Sequence, residues 1–291
     1  MNRRQFLEYG TATAAAMVLG ETATEPARLD VTTHRVALTA MPSVSLALVQ
    51  ISDLHLPYYG RHQRRIVTEA VANNPDVIVF TGDSIDRNDK LGVLDEFLSA
   101  LVPSIPKFAI LGNWEYWSDI DVRIIGRMYE RHGVEMLVNR STPFSAHGKS
   151  LRIVGFDDLV TGNPDVRSAL SDNSPVDAEL LLAHCPQQRN SLKGRTSLML
   201  SGHTHGGQIS MFGYSAYLPR GSGGYSRGWY GAPKPSGEDN TVRIAGVGPI
   251  PSEGPGDEAL PPMYVSRGLG TSLVSARFCS IPELSRFELL I

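Results

Sequence analysis

Asp76-Val77-Ile78-Val79-Phe80-Thr81-Gly82-Asp83 is an apolar, β-branched run that stops on a glycine and a carboxylate. It reads as a buried strand delivering a polar side chain at its carboxyl end. The same pattern recurs on both sides. Ser45 to Ile51 runs into Asp53 and His55, Lys107 to Leu111 into Gly112-Asn113, Glu179 to Ala183 into His184, and Ser197 to Leu200 into Ser201-Gly202-His203-Thr204-His205. Leu151 to Phe156 is a further strand, and Met263 to Ser266 and Leu284 to Ile291 are closing strands. Arg61 to Ala72 and Leu91 to Leu101 have helical character. Strands alternating with helices predict an α/β fold built on sheets. Ligand sites in such sheets lie at the carboxyl ends of the strands, so the polar residues fall on one rim.

The remaining chain sets the context. Its 291 residues are enough for one large domain, and 42 % hydrophobic and 20 % charged residues are ordinary for a soluble fold. A net charge of −3 provides no field favouring nucleic acid, so no such partner is expected. Cys185 and Cys279 are too few for a disulfide framework and are expected as two buried free thiols, with a single bridge left open in an oxidising compartment. Residues 1–30 read as an export signal and linker: Arg3-Arg4 is followed by Phe6-Leu7 and a mild apolar run from about Tyr9 to Gly20. That is the form of a twin-arginine signal, too short to span a bilayer as a mature helix. The expected route is the twin-arginine export machinery, and the expected location is the periplasm or the outer face of the cytoplasmic membrane. Peripheral membrane contact follows if the segment stays attached. Residues 31–291 are expected to form one domain. From about 213 to 262 it carries a Gly- and Pro-rich insertion, containing Tyr214, Tyr217, Tyr225, Trp229 and Tyr230, that reads as a lid or a disordered insert.

Taken singly, each polar cluster is a weak signal. Asp53 and His55 alternate along an extended segment and so can share a metal. Asp83 and Asn113 each follow a glycine that allows close approach. His184 alone would read as a core histidine, and His203 and His205 sit on one side of a short extended segment whose glycines relieve crowding. Together they form a carboxylate, amide and imidazole set suited to first-row divalent ions. Seven ligands suffice for two cations, with Asp83 as a bridge, and paired cations are the arrangement that clamps attacking and leaving oxygens in phosphoryl transfer.

The order D-x-H, G-D, G-N, isolated H, G-H-x-H over about Ser45 to Gln208 resembles the calcineurin-like metallophosphoesterase superfamily. Gly202 to Gln208, Val265-Ser266-Arg267-Gly268-Leu269-Gly270 and Arg277-Phe278 to Pro282-Glu283 are similar to one bacterial subgroup, which contains exported phosphodiesterases and UDP-2,3-diacylglucosamine pyrophosphatases. The resemblance implies a two-sheet sandwich flanked by helices in four αββα layers. It also implies two divalent ions (Mn, Fe, Zn or Co), one held by Asp53, His55 and His205, the other by Asn113, His184 and His203, with Asp83 between them. A bridging hydroxide would attack a small-molecule or lipid-linked phosphoester. Asp86 and Glu115 would support the ligands.

The sequence departs from the family at Trp114. The motif that normally reads G-N-H-D or G-N-H-E is here Gly112-Asn113-Trp114-Glu115. In the family that histidine contacts the scissile phosphate and helps the leaving group depart; indole has no comparably acidic proton. Trp114 is expected either to pack beside Tyr116 and Trp117 or to stack on substrate. The other candidate proton donors are the Tyr-rich insertion and His62. The alternative function is a catalytically impaired metal-binding protein that binds a phosphorylated ligand or partner. His34, His132 and His147 lack a motif and are expected at the surface.

Overall fold

The computed structural model describes residues 20, 22–211, 214–215, 217–233, 240–244 and 260–291. The twin-arginine segment and much of the glycine-rich insertion lie outside the described residues. The strands are β1 (Asp30–Ala37), β2 (Ser45–Ile51), β3 (Val77–Thr81), β4 (Lys107–Ile110), β5 (Val134–Met136), β6 (Arg140–Ala146), β7 (Lys149–Gly155), β8 (Ala178–Leu182), β9 (Leu198–Ser201), β10 (Ser210–Met211), β11 (Tyr214–Ser215), β12 (Gly228–Tyr230), β13 (Val242–Arg243), β14 (Met263–Val265) and β15 (Glu283–Leu290). One sheet runs β13-β1-β15-β2-β3-β4-β5 and a second β12-β14-β9-β8-β7-β6; β10 and β11 form a separate hairpin. Strands β2 to β5 are mutually parallel, as are β7, β8, β9 and β14.

Side-chain alternation assigns each face. On β3, Val77 and Val79 enter a core shared with Leu151, Ile153, Leu180 and Leu200 of the other sheet. Ile78 and Phe80 point the opposite way, into a core with Ile66, Phe97 and Tyr129. This period of two lets one strand serve two layers. Helix α1 (Arg61–Val71) buries Gln63, Ile66, Val67 and Ala70, one stripe at helical spacing. Helix α2 (Leu91–Ser99) and helix α3 (Asn113–Trp117) precede α4 (Val122–Arg131), which starts on Asp121, whose carboxylate accepts the Arg123 N–H, and buries Ile125, Met128 and Tyr129. The outer layer over the second sheet is thinner: α5 (Val166–Ala169), a 3-10 turn at Pro186–Ser191, and Tyr225 and Tyr230. The sandwich with helices outside is the expected fold.

Several local expectations are corrected. Asp30–Ala37, for which no element was expected, is strand β1, paired in parallel along its length with β15. His34 is not a surface residue: its ring lies 4.4 Å from Tyr264 and 5.2 Å from Phe287, and burial lowers its pKa. Cys185 is buried, but Cys279 is exposed; both are free thiols. Trp229 packs against Tyr264 and Phe287, and Tyr225 against Tyr230, so these insertion aromatics complete cores rather than form an open stacking face. Packing also begins before residue 30, because Glu25 and Leu29 are buried. Among the described residues no helix is long and apolar enough to cross a membrane.

Candidate metal centre

Gln50, buried at the end of β2, donates to the Thr81 hydroxyl and to the Ser201 carbonyl, each at 3.0 Å. It thereby ties the ends of the two sheets together where their polar residues emerge. The loops beyond then leave ordinary backbone space. Asp53, His55, Asp83, His203 and His205 have φ of 51°, 41°, 55°, 75° and 51°, the left-handed region that costs non-glycine residues energy. Glycines supply the room. A Cβ on Gly112 would collide with the Asp83 carboxylate, and one on Gly202 with the Ser52 hydroxyl and the Asp53 carboxylate. Strain at five site residues, held by close-packed neighbours, marks a preorganised site.

The side chains converge in two buried groups, Asp53, His55 and His205, and Asp83, His184 and His203. Within each group, one potential ligand atom per residue lies within 4.8 Å of the others. Asn113 Oδ1 is 3.2 Å from His184 Nε2, which adds it to the second group. Asp83 Oδ2 lies 3.1 Å from His184 Nε2 and 3.6 Å from His55 Nε2, so its carboxylate faces both. All seven ligand candidates read from the sequence are therefore brought together.

The outer contacts of each ring decide which nitrogen is free. His184 Nδ1 donates to the Thr81 carbonyl at 2.8 Å, and His203 Nε2 to the Arg220 carbonyl at 2.7 Å. His55 Nδ1 contacts the Asp86 carboxylate. The remaining nitrogens point at each other: His203 Nδ1 and His184 Nε2 are 3.1 Å apart, His55 Nε2 and His205 Nε2 2.9 Å. Two nitrogens about 2.0–2.1 Å from one ion, at right to tetrahedral angles, sit roughly 2.8–3.4 Å apart. The donor set thus fits two divalent cations.

Neighbouring charges set the protonation of the buried groups. Burial alone would raise the Asp83 carboxyl, but the neighbouring His184 outweighs it and holds Asp83 at about 2. Burial opposes a charged His184, yet Asp83 raises its pKa well above the ordinary value. Burial and the charge on His184 push His203 down to about 4, and burial and His55 keep His205 low. Glu115 holds main chain rather than a ring: it accepts from the N–H groups of Asp83, Ser84 and Gly112 at 2.9, 2.5 and 2.9 Å. Burial and the nearby Asp83 charge raise its carboxyl to about 7.

Trp114 donates its main-chain N–H to Asp83 Oδ1 at 2.9 Å. Its ring stands edge-on to His55 at 6.0 Å and to Trp117 at 5.4 Å, so it walls the centre beside an exposed indole. Next to His55 and Asp86 opens a groove of about 450 Å³ whose walls include Leu54, Leu56, Ile66 and Leu269. Tyr58, Leu273 and Val274 on its rim are exposed, and Arg87 and Lys90 lie at one side. His62 lines this groove too, at the α1 side.

Two supports had no role in the sequence reading. Segment 217–230 wraps the G-H-x-H turn, with the Arg220 carbonyl on His203 and the Ser226 carbonyl accepting from Thr204. Arg277 is fully buried behind His205. Its position inside the Arg277-Phe278 motif was the available signal, but neighbours that distant in sequence give no contact information.

The family model for calcineurin-like phosphoesterases matches residues 46–207, more than half of the chain. The chain belongs to that family and is a phosphoester hydrolase of the metal-dependent class. It is 29 % identical to the uncharacterized metallophosphoesterase YkuE of Bacillus subtilis, covering 99 % of this chain and 98 % of that one. It is 29 % identical to phosphodiesterase YaeI of Escherichia coli over 72 % of this chain and 79 % of that one. It is 28 % identical to the UDP-2,3-diacylglucosamine pyrophosphatase LpxG of Chlamydia trachomatis, covering 82 % of each.

Proposed function

We propose that this protein is a two-metal phosphodiesterase or pyrophosphohydrolase acting on substrates with good leaving groups, and that its substrate is lipid-linked or a nucleotide sugar. The observation that carries the reading is Asp83, whose carboxylate faces both buried ligand groups. When bound, two divalent cations supply Lewis acidity toward phosphoryl oxygens and lower the pKa of coordinated water. The protein's residues do the rest. Carbonyl and carboxylate partners on the outer ring nitrogens fix three imidazoles with their free nitrogens inward. Glu115 fixes the loops that carry Asp83 and Asn113.

Trp114 shapes the preference for leaving group. Its indole N–H can donate a hydrogen bond but cannot transfer a proton near neutrality. Acid assistance is worth about 10²–10⁴-fold, so a leaving group that departs as a stable anion is favoured. The apolar groove beginning at His55 suits the hydrocarbon part of an amphipathic phosphoester, and the names of the LpxG and YaeI relatives agree with pyrophosphate or diester chemistry. Export by the twin-arginine route, read from Arg3-Arg4 and Phe6-Leu7, would place this activity outside the cytoplasm.

The test is hydrolysis of bis-p-nitrophenyl phosphate by manganese-loaded protein, beside Asp83→Ala and Trp114→His. Activity in the parent that is lost with Asp83→Ala is expected. A silent parent with an active Trp114→His would instead favour a protein that binds phosphorylated ligands without turning them over.

A further inference from the structure

Building on the two-metal reading, we infer that Arg277 is a positioning residue for one cation group, that of Asp53, His55 and His205, and not for the other. Arg277 is the largest fully buried side chain of the described residues. A guanidinium stays charged, so burying it demands partners for all five N–H groups. Those partners are main-chain carbonyls gathered from three separate segments. Nε donates to Gly270 at 2.9 Å, Nη1 to Arg267 at 2.9 Å and to Ser280 at 2.8 Å, and Nη2 to Gly268 at 3.2 Å. Nη2 also lies 3.1 Å from His205 Nδ1, and Nη1 is 3.5 Å from the His205 carbonyl.

Each segment leads to a ligand of the same group. Behind Asp53 runs the loop 267–270: Leu269 and Gly270 donate to the Ser52 and Asp53 carbonyls at 3.0 and 2.7 Å, and a Cβ on Gly268 would strike the Asp53 side chain. Ser280 donates through its hydroxyl to the His205 carbonyl at 2.6 Å. Glu25, from the segment before β1, accepts the Cys279 N–H at 2.9 Å and that of Ser280, and so clamps the same turn from outside. The fork therefore fixes the backbone under Asp53 and the backbone of His205. His184, Asn113 and Asp83 are oriented by Thr81, Glu115 and Trp114 instead, and the His203 ring by the Arg220 carbonyl, while the His203 main-chain N–H donates to Asp53 Oδ1 at 2.7 Å.

Loss of such supporting contacts typically weakens metal affinity about 10–100-fold. Manganese binding should be measured by equilibrium dialysis and calorimetry on the full chain, with far-UV circular dichroism of the same samples. The wild type should bind two ions. Arg277→Met, and Arg277→Lys, whose point charge cannot span three segments, should keep one ion at wild-type affinity and bind the other about 10–100-fold more weakly. Adding His184→Ala to Arg277→Met should weaken the surviving ion too. Arg286→Met, which removes an arginine bonded to Glu69 away from the site, should leave both ions unchanged. Folded Arg277 variants that bind two ions normally, or lose both in step, overturn the inference. Should both variants misfold, Ser280→Ala carries the test, and unchanged affinity for both ions overturns it. A wild type that binds fewer than two ions contradicts the two-metal reading itself.

Discussion

Trp114 is where this chain's sequence departs from the family motif, and its surroundings define what a substitution should do. The indole stands at 6.0 Å from His55, on the wall of the centre, so a histidine there would face the same space. Trp114→His is expected to raise turnover of diesters with alkyl leaving groups by about 10²-fold or more, while aryl diesters change little. Steady-state kinetics on a paired alkyl and aryl substrate series checks this; equal effects on both would mean that Trp114 acts through packing alone. Gly202 offers a second residue-scale prediction. Gly202→Ala must displace Ser52 or Asp53, so stability should fall by about 1–3 kcal/mol in urea denaturation, with loss of metal binding. The candidate ligands could be picked out in the sequence because most lie just after a glycine or the end of an apolar strand. The left-handed backbone at Asp53, His55 and Asp83 was not, since Asp and His visit it only at a minority of positions and the local sequence does not say which. Nor was the role of Glu115, whose three N–H partners come from two loops.

Elements that alternate or run continuously apolar were read close to their true bounds: the strand expected from Ser45 to Ile51 is β2, and the helix expected from Arg61 to Ala72 ends one residue early. Strands β1, β5 and β6 and helix α4 escaped because their burial is partial or their runs short, as with β6, in which only Phe144 is buried. β1 depends on its neighbour for definition. Glu283, at the start of β15, accepts from Thr32, Tyr264 and Arg267, the last also paired with Asp30 at 2.6 Å. Burial would raise the Glu283 carboxyl, but Arg267 and these donors hold it below its ordinary value of 4.5. A carboxyl lowered by folding stabilises above its unfolded pKa, and that contribution is lost as pH falls through the folded value. Glu283→Gln should therefore cost about 1–3 kcal/mol at pH 7. Its deficit should close as the pH is taken below 4.5 toward and through the folded pKa, as chemical denaturation across pH would show. A deficit constant with pH would mean that shape, not charge, is what the site requires.

For the whole molecule, the two sheets meet in a common core, but their carboxyl ends are joined chiefly through polar groups: Gln50 and the ligand set. Cations seated there would bridge the sheets, so metal binding and global stability are linked. Chelation with EDTA should lower the melting temperature, and manganese should restore it in a concentration-dependent way, with about 2.7 kcal/mol gained per site at 100 times its dissociation constant. A melting temperature indifferent to both would show that the sandwich holds without help from the centre. The most direct measurement is an anomalous difference map from a manganese-loaded crystal of the protein. Two peaks roughly 3.5–4 Å apart are expected, one among Asp53, His55 and His205 and one among Asn113, His184 and His203, with Asp83 between them. A single peak at full loading, or peaks outside these side chains, would contradict a two-metal hydrolase built on this site.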